Sequence, residues 1–201
     1  MVSITSPASG DGKSLVAANL AASLAKGGSR TILVDADVRR GSLHTAFSVR
    51  ARPGLTDYLG EQSMLEETLH TVDDHLTLMP SGTHGRRAPE LLASSRMSDL
   101  LNELRQRYDA IVVDCAPLNA GVDAFVLGTL TTDVVLVLRH GVTDCRLAEA
   151  KLRLLDRLPV RVLGVVLNAV QTTGEYRYYA YDYETAPIST AARRIATPLI
   201  D

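Results

Sequence analysis

Short, continuously apolar runs rich in β-branched residues alternate with helical stretches along most of the sequence. Six of these runs have the length of a β-strand, at 2–5, 31–34, 76–79, 110–113, 133–138 and 161–167. The stretches between them show helical spacing, for example at Val16, Leu20 and Leu24. Continuous rather than alternating hydrophobicity is typical of strands buried on both faces, as in a parallel sheet covered by helices. The sequence therefore predicts an α/β fold with a doubly wound, mostly parallel sheet and helices on both faces.

The composition limits the class of protein. The chain has 201 residues, of which 46% are hydrophobic, which is enough for one domain with its own core. Lysine and arginine number 21 against 23 acidic residues, so no basic footprint for nucleic acid exists. The two cysteines and five histidines form no metal-ligand pattern. No apolar stretch approaches the roughly 18 residues of a membrane span, and no signal-peptide pattern occurs. We expect a cytoplasmic protein that binds no nucleic acid.

The boundaries of some elements can also be predicted. Residues 41–75 show no clear strand, and we expect short helices there at 54–59 and 63–69. A helix is expected before the last apolar run, with Thr143 or Asp144 as its N-cap. We expect this helix to extend to residue 158.

The apolar pattern stops after residue 168. We expect a folded domain over 1–170 and a flexible tail over 171–201. Five of the seven tyrosines lie within eight positions of this tail, at Tyr176, Tyr178, Tyr179, Tyr181 and Tyr183. Interspersed charges argue against a buried aromatic core, and acidic neighbours argue against a platform for stacking bases. We interpret these tyrosines as exposed acceptors for phosphoryl transfer.

A glycine-rich turn, 7–14 (PASGDGKS), follows the first strand and opens the first helix. Its glycines allow the backbone N–H groups to point at phosphate oxygens, and the helix dipole adds positive potential there. Lys13 would reach the β and γ phosphates, and the Ser14 hydroxyl would bind Mg²⁺. We expect Lys13 to face solvent when no nucleotide is bound. Pro7 stands where the strict phosphate-loop pattern has glycine, so a glycine-rich turn with a solvated lysine is the alternative. The expected nucleotide contacts are Ser9, Gly10, Asp11, Gly12, Lys13, Ser14 and Leu15.

Carboxylates follow two further strands. Asp35 and Asp37 end the second run, and Asp114 ends the fourth. Because the carboxyl ends of parallel strands meet at one edge of a sheet, we expect all three side chains near the phosphate loop. Asp114 is suited to the outer coordination of a Mg²⁺ that also touches Ser14, while Asp35 or Asp37 could orient or deprotonate an attacking group. Each carboxylate alone could cap a strand end, whereas their combination favours a site for ATP and Mg²⁺.

The order of these features resembles the bacterial tyrosine kinases that control capsule and exopolysaccharide synthesis. The resemblance rests on the phosphate loop, on 32–40 (ILVDADVRR), on 108–117 (YDAIVVDCAP) and on the tyrosine cluster, and it spans nearly the whole chain. In that family the first three are called Walker A, Walker A′ and Walker B. The resemblance implies a phosphate-loop NTPase fold of the ParA and MinD branch. It also implies an autokinase that phosphorylates tail tyrosines between subunits, with 1–170 as the kinase domain.

Matched position by position, the resemblance implies roles for single residues. Asp35 would be the base for the tyrosine hydroxyl, acting beside Lys13 and Asp37, and Asn168 would lie near adenine. Mg²⁺ would be held by Ser14, Asp37 and Asp114.

The resemblance implies three protein partners as well. They are a membrane-anchored polysaccharide chain-length regulator or adaptor, further copies of the chain, and a phosphotyrosine phosphatase. Family members assemble through a helix upstream of the first strand. An adaptor, or an N-terminal region missing from this sequence, would bring the cytoplasmic kinase to the inner face of the membrane.

Two other functions stay open at this point. One is a partition ATPase of the ParA or MinD type, although such proteins carry a lysine where this chain has Ala8. The other is a catalytically silent, nucleotide-binding scaffold of a polysaccharide export complex.

Overall fold

Seven strands form one sheet in the part of the chain that the structure, a computed structural model, describes, residues 1–171. In chain order they are β1 (Val2–Thr5), β2 (Thr31–Ala36), β3 (His70–Asp73), β4 (Leu76–Met79), β5 (Ala110–Cys115), β6 (Asp133–Arg139) and β7 (Arg161–Asn168). Their order across the sheet is β3-β4-β2-β5-β1-β6-β7, and only β3 and β4 pair antiparallel. The predicted doubly wound, mostly parallel sheet is confirmed.

Helices connect these strands. They are α1 (Lys13–Lys26), α2 (Leu43–Ala46), α3 (Leu55–Leu59), α4 (Ala88–Leu91), α5 (Ser95–Arg107), α6 (Asp123–Thr131) and α7 (Cys145–Leu155), with a 3₁₀ turn at Leu65–Thr68. No helix within residues 1–171 combines the length and the apolar character that crossing a membrane requires.

Two apolar cores lie on opposite faces of the sheet. Ile32 and Val34 of β2 pack with α3, α4, α5 and α6, whereas Leu33 between them packs with α1 and α2. Because successive side chains of a strand point to opposite faces, a continuously apolar strand supplies both cores. This burial explains why the central strands could be found from the sequence.

The face of α1 that meets the sheet is made of alanines, Ala17, Ala18, Ala21 and Ala25. The larger residues of the predicted stripe, Val16, Leu20 and Leu24, are only half-buried at the margin of that core. Small side chains let the helix axis lie close to β1 and β5, which α1 contacts. The N-terminus of α1 is thereby held at the centre of the sheet edge.

Residues 41–75 contain a strand, β3, where the sequence showed no clear one. β3 is a four-residue strand at the sheet edge with alternating burial, and its register with β4 shifts between Thr71 and Asp73. Such a short, irregular alternation is too weak a signal in the sequence. The short helices expected at 54–59 and 63–69 correspond to α3 and to the 3₁₀ turn.

The two ends of the last helix have different outcomes. The Asp144 side chain caps α7 by accepting hydrogen bonds from Arg146 N and Leu147 N, as predicted for Thr143 or Asp144. The helix ends at Leu155, three residues before the expected position. The tail expected over 171–201 lies, apart from Gln171, outside the described residues, and so do all five of its tyrosines.

Candidate active site

The phosphate loop joins β1 to α1 at the middle of the sheet. Gly10 and Gly12 have φ angles of 90° and 94°, a left-handed conformation that residues with a Cβ rarely adopt. A Cβ on Gly12 would also collide with Nδ2 of Asn168. No side chain caps the first turn of α1, so its N–H groups remain available to a ligand. An uncapped helix start behind a glycine loop is suited to binding an anion.

The nucleotide contacts of the remaining loop residues stay a prediction, and the structure shows how exposed each residue is. Ser9 and Gly10 are exposed at the tip of the loop, and Leu15 is half-buried in the first turn of α1. Asp11 is 1% exposed, and its carboxylate accepts a hydrogen bond from Ala8 N at 3.1 Å. Its carboxylate is thus engaged within the protein.

Lys13 does not face solvent, contrary to the expectation. Its side chain is 13% exposed, and Nζ lies 2.9 Å from Asp37 Oδ2 and 3.7 Å from Asp114 Oδ1. Nζ also donates a hydrogen bond of 3.0 Å to Ser14 Oγ. Burial by itself lowers the pKa of Lys13, but the charges of Asp114 and Asp37 outweigh it and hold that pKa above its usual value. Three converging acidic side chains explain why the ammonium turns inward.

The three carboxylates do converge on the phosphate loop. Asp35 and Asp114 are paired in register on β2 and β5, and Asp114 is also paired with Ile4 of β1. Asp35, Asp37 and Asp114 are 0%, 3% and 1% exposed. Oδ1 of Asp35 and Oδ1 of Asp114 have no hydrogen-bond partner within the described part of the chain. Burial raises the pKa of both Asp35 and Asp114, and Lys13 opposes the rise at each.

Asp35 is covered by the loop that follows β2. Its Oδ2 accepts a hydrogen bond of 3.1 Å from Leu43 N. Gly41 lies directly above the carboxylate, since a Cβ there would be 2.8 Å from Asp35 Oδ1 and would overlap Ser81. The candidate base is therefore shielded from water, and its free oxygen lies beneath Gly41.

The side chains around Lys13 fit a magnesium ion. Ser14 Oγ, Asp37 Oδ2 and Asp114 Oδ1 are hard oxygen donors that already surround a cation, the Lys13 ammonium. Within residues 1–171 no three His, Cys, Asp or Glu side chains are arranged to hold a metal by themselves. Mg²⁺ needs no such cage, because it usually keeps several waters and takes few carboxylates together with substrate phosphates.

Asn168, at the end of β7, lies against the phosphate loop. Its Nδ2 donates to the backbone oxygen of Asp11 at 3.0 Å, and its Oδ1 accepts from Ala169 N at 2.8 Å. The side chain therefore supports the loop in this structure. Its contact with adenine stays a prediction.

The sequence did not reveal several contacts that hold the site together. Arg39 Nε donates to the Asp123 carboxylate at 2.7 Å, which ties the loop after β2 to the start of α6. The last residue of β6, Arg139, and Thr143 in the turn after it both contact the phosphate loop. These partners are separated by 84 to 132 positions in the chain, and no local pattern marks them.

The sequence of this chain is similar to sequences of known proteins. A family model described as an AAA domain matches residues 1–140. The tyrosine-protein kinase YwqD of Bacillus subtilis is 35% identical over 89% of this chain and 76% of its own length. The succinoglycan biosynthesis transport protein ExoP of Rhizobium meliloti is 35% identical over 90% of this chain and 24% of its own length. The chain spans about a quarter of the length of several longer relatives.

Solved structures show the same fold. The kinase domain of the Escherichia coli tyrosine kinase ETK matches with a TM-score of 0.82 and 29% identity, over 87% of this chain and 69% of that domain. The septum site-determining protein MinD of Pyrococcus horikoshii, solved with Mg-ADP, matches with a TM-score of 0.71 and 22% identity, over 98% of this chain and 77% of MinD. At that identity the likeness to MinD shows the fold alone.

Proposed function

Because this chain belongs to the bacterial tyrosine-protein kinases, we propose that it transfers the γ-phosphoryl group of ATP to protein tyrosines. Its first acceptors are the tyrosines of its own tail, Tyr176, Tyr178, Tyr179, Tyr181 and Tyr183. The observation that carries this proposal is the position of Lys13, beside an uncapped helix start and among three buried carboxylates. The biological role is regulation of exopolysaccharide or capsule synthesis and export.

The phosphate loop binds the nucleotide. Ser9 to Leu15 surround the phosphates, with the N–H groups of the loop and of the first turn of α1 as donors. Ser14, Asp37 and Asp114 would hold Mg²⁺, which, when bound, would neutralise phosphate charge and orient the transferred group. Lys13 then leaves the carboxylates for the phosphates, where its positive charge stabilises the negative charge of the transition state.

Asp35 serves as the base for the tyrosine hydroxyl. Its free Oδ1 takes the proton. Burial raises the pKa of this carboxyl, which makes its carboxylate form a stronger proton acceptor than an exposed aspartate. The loop above it has to move before a hydroxyl reaches Oδ1, because Gly41 and Leu43 cover the carboxylate. The acceptor tyrosine thus displaces the cover when it docks, and water stays excluded until then.

Transfer occurs between subunits of a homo-oligomer. Eight residues separate Asn168 from Tyr176, and an extended chain covers at most roughly 28 Å over that length. Reach alone therefore also permits transfer within a subunit, and the family likeness favours transfer between subunits. Each phosphotyrosine adds about −1.5 to −2 charge, so a modified tail is repelled by the acidic crevice of its neighbour. A phosphatase restores the unmodified state.

The kinase acts in the cytoplasm beside a membrane-anchored chain-length regulator of polysaccharide synthesis. The proposal for this partner rests on relatives such as ExoP, whose name places it in succinoglycan biosynthesis and transport. In this proposal a separate adaptor, or a further part of a longer protein, supplies the membrane contact.

Incubation with labelled ATP and Mg²⁺ tests the proposal. Acid hydrolysis of the protein should release phosphotyrosine from the wild-type chain and none from Lys13→Met. Lys26→Met is the matched control, because Lys26 is exposed at the other end of the same helix and should behave as wild type. Free phosphate without phosphotyrosine would indicate an ATPase of the MinD type instead, and neither product would indicate a silent scaffold.

A further inference from the structure

Asp11 places a carboxylate inside a loop that binds anions. In such a loop a negative charge weakens phosphate binding unless it is turned away and paired. The Asp11 side chain is buried, and its two oxygens accept hydrogen bonds from Ala8 N at 3.1 Å and from Thr143 Oγ1 at 2.7 Å. The first bond lies within the phosphate loop, and the second leads out of it to the turn after β6. The carboxylate therefore has a structural task.

Thr143 fixes this link from the other side. Its hydroxyl donates to Asp11 Oδ1 and accepts from Arg139 N at 2.6 Å, so both bonding directions of the oxygen are used. The turn that carries it is closed by Val142 N and Thr143 N, which both donate to Arg139 O, at 3.2 and 3.0 Å. A hydroxyl held in this way has one orientation, and it points at the phosphate loop.

Two neighbouring side chains hold the backbone of the same loop. Arg139 Nη1 donates to Gly10 O at 3.2 Å, and Asn168 Nδ2 donates to Asp11 O at 3.0 Å. Arg139 and Asn168 are partners in register at the ends of β6 and β7. We call Arg139, Thr143 and Asn168 the loop clamp. The clamp contacts Gly10 and Asp11, next to and between the two glycines with a left-handed conformation.

We propose that Thr143 is a positioning residue that acts through Asp11 to hold the phosphate loop in its binding conformation before nucleotide arrives. The identity of the ligand rests on the proposed function. Phosphate binding needs several N–H groups aimed at one point, and a loop ordered in advance loses less entropy when it binds. Thr143 itself has no need to touch the nucleotide.

Replacement of Thr143 by valine and by serine tests this role. Thr143→Val keeps the shape and removes the hydroxyl, and Thr143→Ser keeps the hydroxyl. Thr129→Val is the matched control, because it removes a threonine hydroxyl that donates to Phe125 O at an exposed position of α6. In titrations with ADP and Mg²⁺, Thr143→Val should bind about 10-fold more weakly, in keeping with the loss of a hydrogen bond to a charged group. Serine should restore most of the affinity, and Thr129→Val should match wild type.

Hydrogen exchange of the nucleotide-free protein gives a second readout. Amides of 6–14 should exchange faster in Thr143→Val than in Thr143→Ser, while the rest of the sheet stays as protected as in wild type. Asp11→Asn should weaken ADP binding too, and its combination with Thr143→Val should cost less than the sum of the two single effects. Unchanged affinity together with unchanged exchange in Thr143→Val would overturn the role of Thr143. If even the wild-type chain bound no ADP, the proposed function would fail. Hydrogen exchange of the amides of 6–14 would still show whether Thr143 holds the phosphate loop.

Discussion

Lys13 should matter for stability as well as for catalysis. The Lys13→Met variant removes the positive charge that forms ion pairs with Asp37 and Asp114 and that also acts on Asp35. Nζ lies 2.9 Å from Asp37 and 3.7 Å from Asp114. At an effective dielectric constant of about 20, opposite charges at these distances attract by about 6 and about 4 kcal/mol.

The net effect is smaller, because the folded state also loses the hydration of these charges. Removing one partner of a buried ion pair typically costs about 3–5 kcal/mol. For a chain of 201 residues this lowers the melting temperature by about 6–20 °C. We expect Lys13→Met to fold, to unfold at lower denaturant in the presence of EDTA, and to recover part of the loss when Mg²⁺ is added.

The difference from wild type should also depend on pH. Burial raises the pKa of Asp35 and Asp114, and Lys13 opposes the rise at both. A carboxyl with a raised pKa favours the folded state when protonated, and this contribution is lost as the pH rises through its folded pKa. Without Lys13 both pKa values rise further, so the instability of Lys13→Met should shrink as the pH falls from 8 toward 5.

Urea unfolding of Lys13→Met, Lys26→Met and wild type, each at pH 8 and pH 5 in EDTA, measures this. Lys26 is exposed on the same helix and controls for the loss of a lysine. The reasoning is refuted if Lys13→Met is as stable as Lys26→Met at pH 8, or if its deficit is the same at both pH values.

Further predictions concern the carboxylates and the phosphate loop. Asp114→Asn should weaken Mg²⁺-dependent ADP binding about 10- to 100-fold through the altered metal environment, whereas Asp35→Asn should spare binding and reduce transfer. Nucleotide titrations of both variants decide whether Asp35 is the base or a metal ligand. If both variants lost the same affinity for ADP, the assignment of Asp35 as the base would be wrong. Gly12→Ala should abolish ADP binding, because its φ of 94° is strained for alanine and the new Cβ collides with Asn168. Gly28 has a similar φ of 88° with open space around it, so Gly28→Ala controls for backbone strain alone. If Gly12→Ala bound ADP as tightly as Gly28→Ala, the predicted role of Gly12 would be contradicted.

The sheet and its acidic edge could be predicted because both depend on local pattern. β2 and β5 each contain a continuous apolar run that is followed directly by an aspartate, Asp35 or Asp114. The residues that predict a buried strand and the carboxylate of the site are therefore neighbours in the sequence. The phosphate loop likewise combines glycines, a lysine and a helix start within a few positions.

The features that the sequence could not predict depend mostly on contacts between residues far apart in the chain. Lys13 turns inward because β2 and β5 bring it carboxylates that lie 24 and 101 positions away, so no local pattern shows that its charge is already paired. In the sequence Thr143 is an ordinary polar residue in a turn. Only the folded structure shows that its Oγ1 lies 2.7 Å from Asp11 Oδ1. β3 was missed because four residues at a sheet edge give too short an alternation.

The most direct test of kinase activity mixes two chains. One is Lys13→Met with an intact tail, and the other is an active chain that ends at residue 171 and so lacks the five tail tyrosines. After incubation with labelled ATP and Mg²⁺, we expect phosphotyrosine on the Lys13→Met chain, formed at a rate that rises with the concentration of the truncated chain. Release of free phosphate with no phosphotyrosine on either chain, while the intact wild-type chain also stays unmodified, would contradict it.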